Sequence, residues 1–163
     1  YKYLLTRRNT NKEIFLKGMI AMYSQEKLYN ALYQNAEMGT SSIRKVFPKV
    51  QDSKLKSELR MQLSNYKDQT NQLLGQMRSQ NIKPEPVPKM TKMMTSMGIA
   101  MNCAKDSSTE HIAEMLIQGT NMGVIKINKA LNSSVTASPK LVQEAKIMLS
   151  KEQKYIDDLK SYL

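Results

Sequence analysis

Hydrophobic residues recur every three or four positions through most of this chain, which is the spacing of one face of an α-helix. The pattern is clearest in residues 107–132. Ser107 opens this stretch and Glu110 follows three residues later, which is the spacing of a capping box. Because the apolar arc is broad, we predict a helix from Ser107 to about Asn132 that is buried by several neighbouring helices.

The N-terminal segment is predicted to differ from the helices that follow. Residues 1–23 are predicted as an irregular arm that passes into a short helix near Lys12. Ser24 is a suitable N-cap for the first long helix. Pro48 has no backbone N–H to donate, so that helix is expected to end or kink there. The predicted division is an N-terminal arm or short helix, residues 1–23, and a helical domain, residues 24–163.

Two more long helices follow from the same apolar spacing. Asp52 is the predicted N-cap of the second, which is expected to end near Asn81. The last begins at Ser138 and Pro139, a cap followed by proline at the first helical position. Strand-like alternation is nowhere sustained, tryptophan is absent and glycines number only 6. These features indicate an all-α protein.

The connection between the second and third long helices, residues 82–106, is long for a helical bundle. It opens with three prolines at alternate positions, which bar helix and favour an extended crossing: Pro84, Pro86 and Pro88. A connection of this length lets the third long helix run parallel to the second. We therefore predict an up-down four-helix bundle of ferritin-like topology with a long crossover between the second and third long helices.

A methionine cluster lies within this connection. Its members are spaced by three and four and would share one side of a short helix: Met90, Met93, Met94, Met97 and Met101. Flexible packing against the bundle is the favoured interpretation. Docking to a protein partner or a membrane surface is the second interpretation, and Cu(I) binding by the thioethers is the third.

The formal net charge of +11 raises the question of an anionic partner. Residues 1–23 carry five Lys or Arg and one Glu, whereas elsewhere lysines alternate with carboxylates, as on solvated helix faces. No zinc-finger spacing, RNA-recognition signature or helix-turn-helix pattern supports specific nucleic-acid recognition. We interpret the charge as serving solubility, with weak association of the basic arm with anionic surfaces as the alternative.

Membrane insertion and secretion are not favoured by the sequence. No run of 18 uncharged apolar residues occurs, so no transmembrane segment is predicted. Glu13 and Lys17 interrupt the opening stretch, and a small-residue cleavage site is lacking. The single Cys103 excludes an internal disulfide and fits a reducing compartment, so we expect a cytoplasmic protein. The chain begins at Tyr1 rather than methionine, as a fragment of a longer protein would.

Glu152 is the one charged residue on the apolar stripe of the last helix. A lone carboxylate in a core is costly unless it is paired, hydrogen-bonded or protonated. In the favoured interpretation Glu152 lies at the edge of the stripe and touches solvent. The alternative is a buried carboxylate that pairs with His111, Tyr66, Tyr155 or a lysine from a neighbouring helix.

The third helix resembles a family of small uncharacterised bacterial proteins with a ferritin-like helical bundle. The resemblance rests on the run STEHIAEMLIQGTNMG, residues 108–123, together with the final Tyr162-Leu163 helix end. It covers about residues 24–163. It implies the fold and no activity, because the family has no assigned function.

The ferritin-like superfamily implies a di-iron or di-manganese site. Such a site takes a Glu from each of two helices and a Glu-x-x-His pair from each of the other two. This chain has one histidine, in the reversed order His111-x-x-Glu114, and Glu152-x-x-Tyr155 carries tyrosine in place of imidazole. A dinuclear site is therefore not expected. The candidate metal ligands are His111, Glu114 and Glu152, a mononuclear set that is short of ligands.

Other signatures of enzymes are missing from the sequence. It contains no phosphate-binding glycine loop and no Gly-x-Ser-x-Gly elbow, and Cys103 has no local features of a nucleophile, so a buried structural role is favoured for it. We expect a non-catalytic helical-bundle protein, without cofactor, that packs against itself as a homo-oligomer or against a protein partner. The alternative is a ferritin-like metal-binding protein or metal-dependent oxidoreductase with a reduced ligand set, using iron or manganese.

Overall fold

The computed structural model describes residues 2–89, 91–92, 98–99 and 103–163, with side chains from residue 12 onward. All regular secondary structure of these residues is helical, which confirms the all-α prediction. The long helices are α1 (Lys2–Val46), α2 (Ser53–Ser79), α3 (Thr109–Ser133) and α4 (Pro139–Leu159). Short 3-10 turns follow α1 and α4, at Phe47–Lys49 and Lys160–Tyr162.

Two predicted N-caps are confirmed by their hydrogen bonds. The Asp52 side chain accepts from the Leu55 N–H at 2.7 Å at the start of α2. The Ser138 hydroxyl accepts from the Leu141 N–H at 3.3 Å at the start of α4, where Pro139 is the first helical residue. Each cap satisfies one of the backbone donors that a helix leaves unpaired at its N-terminus.

The cap of α3 is one residue later than predicted. Ser108, and not Ser107, has the extended backbone of an N-cap, and its hydroxyl accepts from the His111 N–H at 3.2 Å. The Ser108 N–H in turn donates to Asp106 Oδ1 at 2.8 Å. Because the cap is Ser108, the residue three positions later is His111, so the predicted capping box with Glu110 does not form.

The N-terminal segment is not an irregular arm, because α1 is continuous from Lys2 to Val46. Residues 2–23 contain no proline that would break the helix; Gly18 alone costs only about 1 kcal/mol relative to alanine. Ser24 lies inside α1 and is not an N-cap; its hydroxyl accepts a 2.8 Å hydrogen bond from Thr136 instead. The end of α1 before Pro48 agrees with the prediction.

Hydrogen bonds between α1 and α4 show that these two helices run in the same direction. Gln25 bonds Ser138 at the start of α4, and ten residues later Asn35 bonds Glu152. Gln25 of α1 also bonds Gln80, which directly follows the last residue of α2. Farther along α1, Gly39 packs against Tyr66, which lies in the middle of α2. Helix α2 is therefore antiparallel to α1.

The direction of α3 follows from the two apolar clusters of the core. In the first cluster, Ile112 near the start of α3 packs with Leu159 at the end of α4. In the second, Ala130 near the end of α3 packs with Leu141 at the start of α4. Helix α3 is thus antiparallel to α4 and parallel to α2, as the long connection between α2 and α3 permits.

The connection between α2 and α3 begins as extended chain. Ile82 and Val87 are buried, and the Glu85 N–H donates to Asn30 Oδ1 of α1 at 2.8 Å. Farther along, Cys103 is a buried free thiol, as predicted. The methionine cluster lies outside the described residues. Within the described ranges, no helix offers a stretch that is both long enough and apolar enough to cross a lipid bilayer.

Candidate functional site

The Glu152 carboxylate is buried between the helices, with only 1% of the residue exposed. The expectation that it touches solvent is therefore wrong. The Tyr66 hydroxyl of α2 donates to Glu152 Oε2 at 2.7 Å, and the Asn35 amide of α1 donates to Oε1 at 2.9 Å. We call Asn35, Tyr66 and Glu152 the Glu152 cluster. Tyr66 was among the predicted partners, whereas Asn35 was not.

The position of α4 in the core explains why this glutamate is buried. Along α4, Met148 belongs to the second apolar cluster and Tyr155 belongs to the first. Glu152 lies between them on the same face, one helical turn from each. It therefore occupies a polar layer that separates the two apolar clusters.

Two glycines make room for this layer. A Cβ atom on Gly39 of α1 would come within 2.5–2.8 Å of three atoms of the Tyr66 ring. A Cβ atom on Gly123 of α3 would collide with Asn35 Oδ1. Side chains at these two positions would displace the groups that hold Glu152. All four helices thus contribute a residue to the site or to the space around it.

Tyr155 extends the polar layer toward the surface. Its ring meets the Tyr66 ring edge to face, with 5.6 Å between the ring centroids and 64° between the planes. Its hydroxyl oxygen accepts from the Asn65 amide at 3.0 Å. The Tyr155 hydroxyl is therefore satisfied by α2 and makes no hydrogen bond with Glu152.

Burial determines the protonation of the cluster. It raises the pKa of Glu152 from 4.5 to about 7, although the hydrogen bonds from Tyr66 and Asn35 act in the opposite direction. Burial also raises the pKa of Tyr66 well above 10.0, and the Glu152 charge adds to this rise. Tyr66 therefore keeps its proton, and Glu152 can take up or release one proton near neutral pH.

His111 and Glu114 lie beside each other at the start of α3. His111 Nδ1 is 3.9 Å from Glu114 Oε2, and both side chains are partly exposed. His111 Nε2 is buried, and among the described residues it has no hydrogen-bond partner. Glu152 is bound instead to Tyr66 and Asn35, which lie on α2 and α1. The structure therefore brings together two of the three predicted metal ligands.

The groups around Glu152 do not fit the metal pair that the ferritin-like superfamily implies. A cation requires lone pairs, whereas Tyr66 and Asn35 direct an O–H and an N–H toward the carboxylate. In the part of the chain that the structure describes, no group of three or more His, Cys, Asp or Glu side chains is placed to hold a metal ion. The mononuclear site of His111, Glu114 and Glu152 stays a prediction.

Two features of the site could not be identified as such from the sequence. Asn35 stands next to Ala36 on the apolar face of α1, and one asparagine beside an apolar stripe is a common surface residue. Gly123 lies four residues after Gly119, a spacing of small residues that predicts close approach of another helix, but the sequence did not show that Asn35 would fill the space at Gly123. Their shared role appears when α1 and α3 are packed together.

Comparison of the chain with protein-family models, with characterised proteins and with solved structures finds no match.

Proposed function

We propose that this chain is a non-catalytic helical-bundle protein that associates with a second copy of itself through the N-terminal part of α1. The observation that carries the proposal is a group of seven large exposed apolar side chains within residues 12–23. We call residues 12–23 the α1 overhang. We also propose that the fold from which the α1 overhang projects is a four-helix bundle of ferritin-like topology.

The overhang exists because α1 is much longer than its neighbours. Its 45 residues measure about 68 Å, whereas the 27 residues of α2 measure about 40 Å. The turn between α3 and α4 meets α1 at Ile20 and Ser24, through two hydrogen bonds from Thr136. Most of the overhang therefore extends past the end of the other three helices.

Apolar side chains on the overhang are exposed and pack against no other helix among the described residues. Seven large hydrophobic residues expose between 46% and 66% of their surface: Ile14, Phe15, Leu16, Met19, Ile20, Met22 and Tyr23. Phe15, Met19 and Met22 are separated by four and three residues, which is the spacing of a helix-helix seam. A contiguous apolar surface of this kind is typical of an interaction site, whereas single exposed hydrophobics are common.

A second copy of the chain suits this surface in size and in charge. If each of the seven side chains buries about 100 Å², one overhang contributes about 700 Å², close to the roughly 800 Å² per partner of a standard interface. Residues 12–23 carry Lys12, Lys17 and Glu13, a net charge of only +1, so two overhangs repel each other weakly. An isologous pair would cover both surfaces at once.

The helix directions support the ferritin-like part of the proposal. Helices α1 and α4 are parallel, α2 and α3 are parallel, and a long connection joins the second pair. This is the arrangement that a four-helix bundle with one long crossover adopts. The proposed membership of the small bacterial family and the proposed cytoplasmic location rest on the sequence alone.

Sedimentation equilibrium over a range of protein concentrations tests self-association. We expect the wild-type chain to form dimers that dissociate on dilution, and the Phe15→Gln/Met19→Gln variant to remain monomeric. Glutamine is a good helix former, so α1 should persist in the variant, and circular dichroism checks this. The matched control is Lys17→Gln, which lies away from the seam and should dimerise like the wild type.

Either of two results would overturn the proposal. One is a wild-type chain that stays monomeric at the highest concentration reached. The other is a Phe15→Gln/Met19→Gln variant that dimerises as well as the wild type. If a monomeric wild type bound vesicles containing phosphatidylserine, the overhang would be assigned to an anionic membrane surface instead.

A further inference from the structure

A second feature lies between the C-terminal part of α1 and the middle of α2, away from the α1 overhang. It is an open groove of about 590 Å³. We call it the basic groove and define it by six of the residues that line it: Thr40, Arg44, Lys45, Lys67, Thr70 and Lys92. Its volume lies within the range of about 300–1,000 Å³ that is usual for small-molecule sites.

The groove forms because polar residues recur at helical spacing on both helices. On α1, Thr40 and Arg44 are four residues apart and therefore lie on one face of the helix, and Lys45 lines the groove beside them. On α2, Lys67 and Thr70 are three residues apart and face α1 in the antiparallel pair. On each helix this polar face lies next to residues of the first apolar cluster, such as Ile43 on α1 and Tyr66 on α2. The packing of α1 against α2 therefore holds the two sides of the groove together.

Positive charge predominates in the groove. Of the described residues that line it, four are Lys or Arg, and Glu37 is the one carboxylate. Within the described ranges, Arg44, Lys67 and Glu37 form no salt bridge, unlike the Lys154–Asp158 and Lys160–Asp157 pairs at the C-terminal end of the chain. An anion in the groove would reduce the repulsion among these cations.

The pKa of Lys45 agrees with a positive potential in the groove. Partial burial lowers this pKa, and the positive charge of Lys92 lowers it further. Two lysines therefore lie close enough for one to disfavour the charge on the other. A bound anion would act in the opposite direction, because its negative charge favours the protonated forms of both lysines and so raises their pKa.

Two threonine hydroxyls in the groove provide a second, independent indication. Thr40 is only 8% exposed, and in the part of the chain that the structure describes the buried Oγ1 atoms of Thr40 and Thr70 have no hydrogen-bond partner. Thr120 of α3 shows the usual arrangement, in which the hydroxyl donates to the backbone carbonyl four residues earlier, at 2.9 Å. A buried hydroxyl without a partner is unfavourable, because it has lost its hydrogen bond to water and gained none in return.

We propose that the basic groove binds a small molecule that carries phosphate groups. Arg44 and Lys67 are the charged contacts, and the Thr40 and Thr70 hydroxyls are neutral hydrogen-bond donors. A phosphate group offers several acceptor oxygens, which can satisfy both hydroxyls and also accept two parallel hydrogen bonds from a guanidinium group. The volume of the groove exceeds that of one phosphate, so a diphosphate or a phosphorylated metabolite suits it better than a single phosphate ion.

Isothermal titration calorimetry with inorganic pyrophosphate, at about 0.15 M salt to screen diffuse attraction, tests the proposal. We expect one binding site per chain. Arg44→Gln should weaken binding at least about tenfold, because a charge-assisted hydrogen bond is lost. Lys151→Gln is the matched control, since it removes the same single charge from an exposed position on α4. It should bind pyrophosphate like the wild type.

The threonine hydroxyl separates a specific site from diffuse positive charge. Thr40→Val removes the hydroxyl at nearly constant volume and without a change in charge, and we expect it to weaken pyrophosphate binding. Thr40→Ser retains a hydroxyl and should restore binding, which excludes a general effect of altered packing. Chemical denaturation of each variant shows that the chain remains folded.

Three results would overturn the proposal. The first is no detectable pyrophosphate binding by the folded wild-type chain. The second is equal weakening by Arg44→Gln and Lys151→Gln, which would show an effect of net charge alone. The third is binding of a single-stranded oligonucleotide that Arg44→Gln weakens and that pyrophosphate does not displace, since this would assign the groove to a nucleic-acid backbone. The Phe15→Gln/Met19→Gln variant should bind pyrophosphate normally, so the two proposals can fail separately.

Discussion

The Tyr66 hydroxyl donates a 2.7 Å hydrogen bond to Oε2 of Glu152 and joins α2 to α4 at the level where the two apolar clusters of the core meet. The second donor to this carboxylate is the amide of Asn35. Both donors are neutral, and among the described residues Glu152 forms no salt bridge. The stability of the core should therefore depend on whether Glu152 carries its proton.

We predict that the free energy of unfolding decreases as the pH rises from about 4.5 to about 7. Burial holds the pKa of Glu152 at about 7 in the folded chain, against 4.5 for an exposed glutamate. In this interval the unfolded chain loses the Glu152 proton while the folded chain retains it, so rising pH favours unfolding. At about 1.4 kcal/mol for each pH unit, the loss approaches 3 kcal/mol.

Urea denaturation at a series of pH values measures this effect, and Glu152→Gln is the control. Glutamine keeps the size of the side chain and cannot titrate, so the pH-dependent loss assigned to Glu152 should vanish in the variant. The same slope in both proteins between pH 4.5 and pH 7 would show that other groups cause it.

Tyr66→Phe should destabilise the fold. The substitution keeps the ring against Gly39 but leaves Glu152 Oε2 without its hydroxyl donor, and an unsatisfied buried acceptor costs about 1–3 kcal/mol. The hydrogen bond from Tyr66 lowers the pKa of Glu152, so its removal should raise that pKa further. Urea denaturation measures the first effect, and NMR titration of the Glu152 side chain measures the second. An unchanged free energy of unfolding at neutral pH would show that the hydrogen bond between Tyr66 and Glu152 does not stabilise the fold.

Gly39→Ala and Gly119→Ala should change stability in opposite directions. A methyl group on Gly39 would press into the Tyr66 ring, so we expect a loss of about 1–3 kcal/mol. No atom lies within 4 Å of a Cβ placed on Gly119, which is exposed in the middle of α3, so alanine there should stabilise by up to about 1 kcal/mol. Thermal unfolding of the two variants tests this pair, and equal effects would mean that helix propensity alone determines the result.

Asp52→Ala should cost about 1 kcal/mol, because α2 loses the side chain that accepts from the Leu55 N–H. Asp68→Ala is the matched control: it removes the same carboxylate from an exposed position inside α2, away from the cap. Denaturation midpoints measured at one pH compare the two variants. A control that loses as much stability as Asp52→Ala would show that charge, and not capping, is responsible.

The sequence predicted helix boundaries well where one residue acts on the backbone next to it. Asp52 and Ser138 cap their helices, and Pro48 ends α1, because a side-chain acceptor or a missing N–H has its effect within one turn. The prediction of a cap at Ser24 was wrong, because this serine has the same capping chemistry but lies inside the continuous helix α1. A serine can cap a helix only where the chain before it leaves the helical conformation.

The candidate site was predictable only in part. The spacing of apolar residues placed Glu152 on the buried stripe of α4 and identified it as unusual, which the structure confirms. The stripe could not show whether the carboxylate faces water or another helix. That depends on Asn35 and Tyr66, which are 117 and 86 positions away along the chain.

The amino-acid sequence by itself determined the helical class of this protein, the caps of α2 and α4 and the apolar face of each helix, because these follow from interactions within a few residues of one another. The tertiary structure decided which polar residues are buried together, how far α1 extends past its neighbours and where cations gather between α1 and α2. Those features arise from the relative placement of distant helices, and local spacing carries no information about the neighbours that a helix will meet.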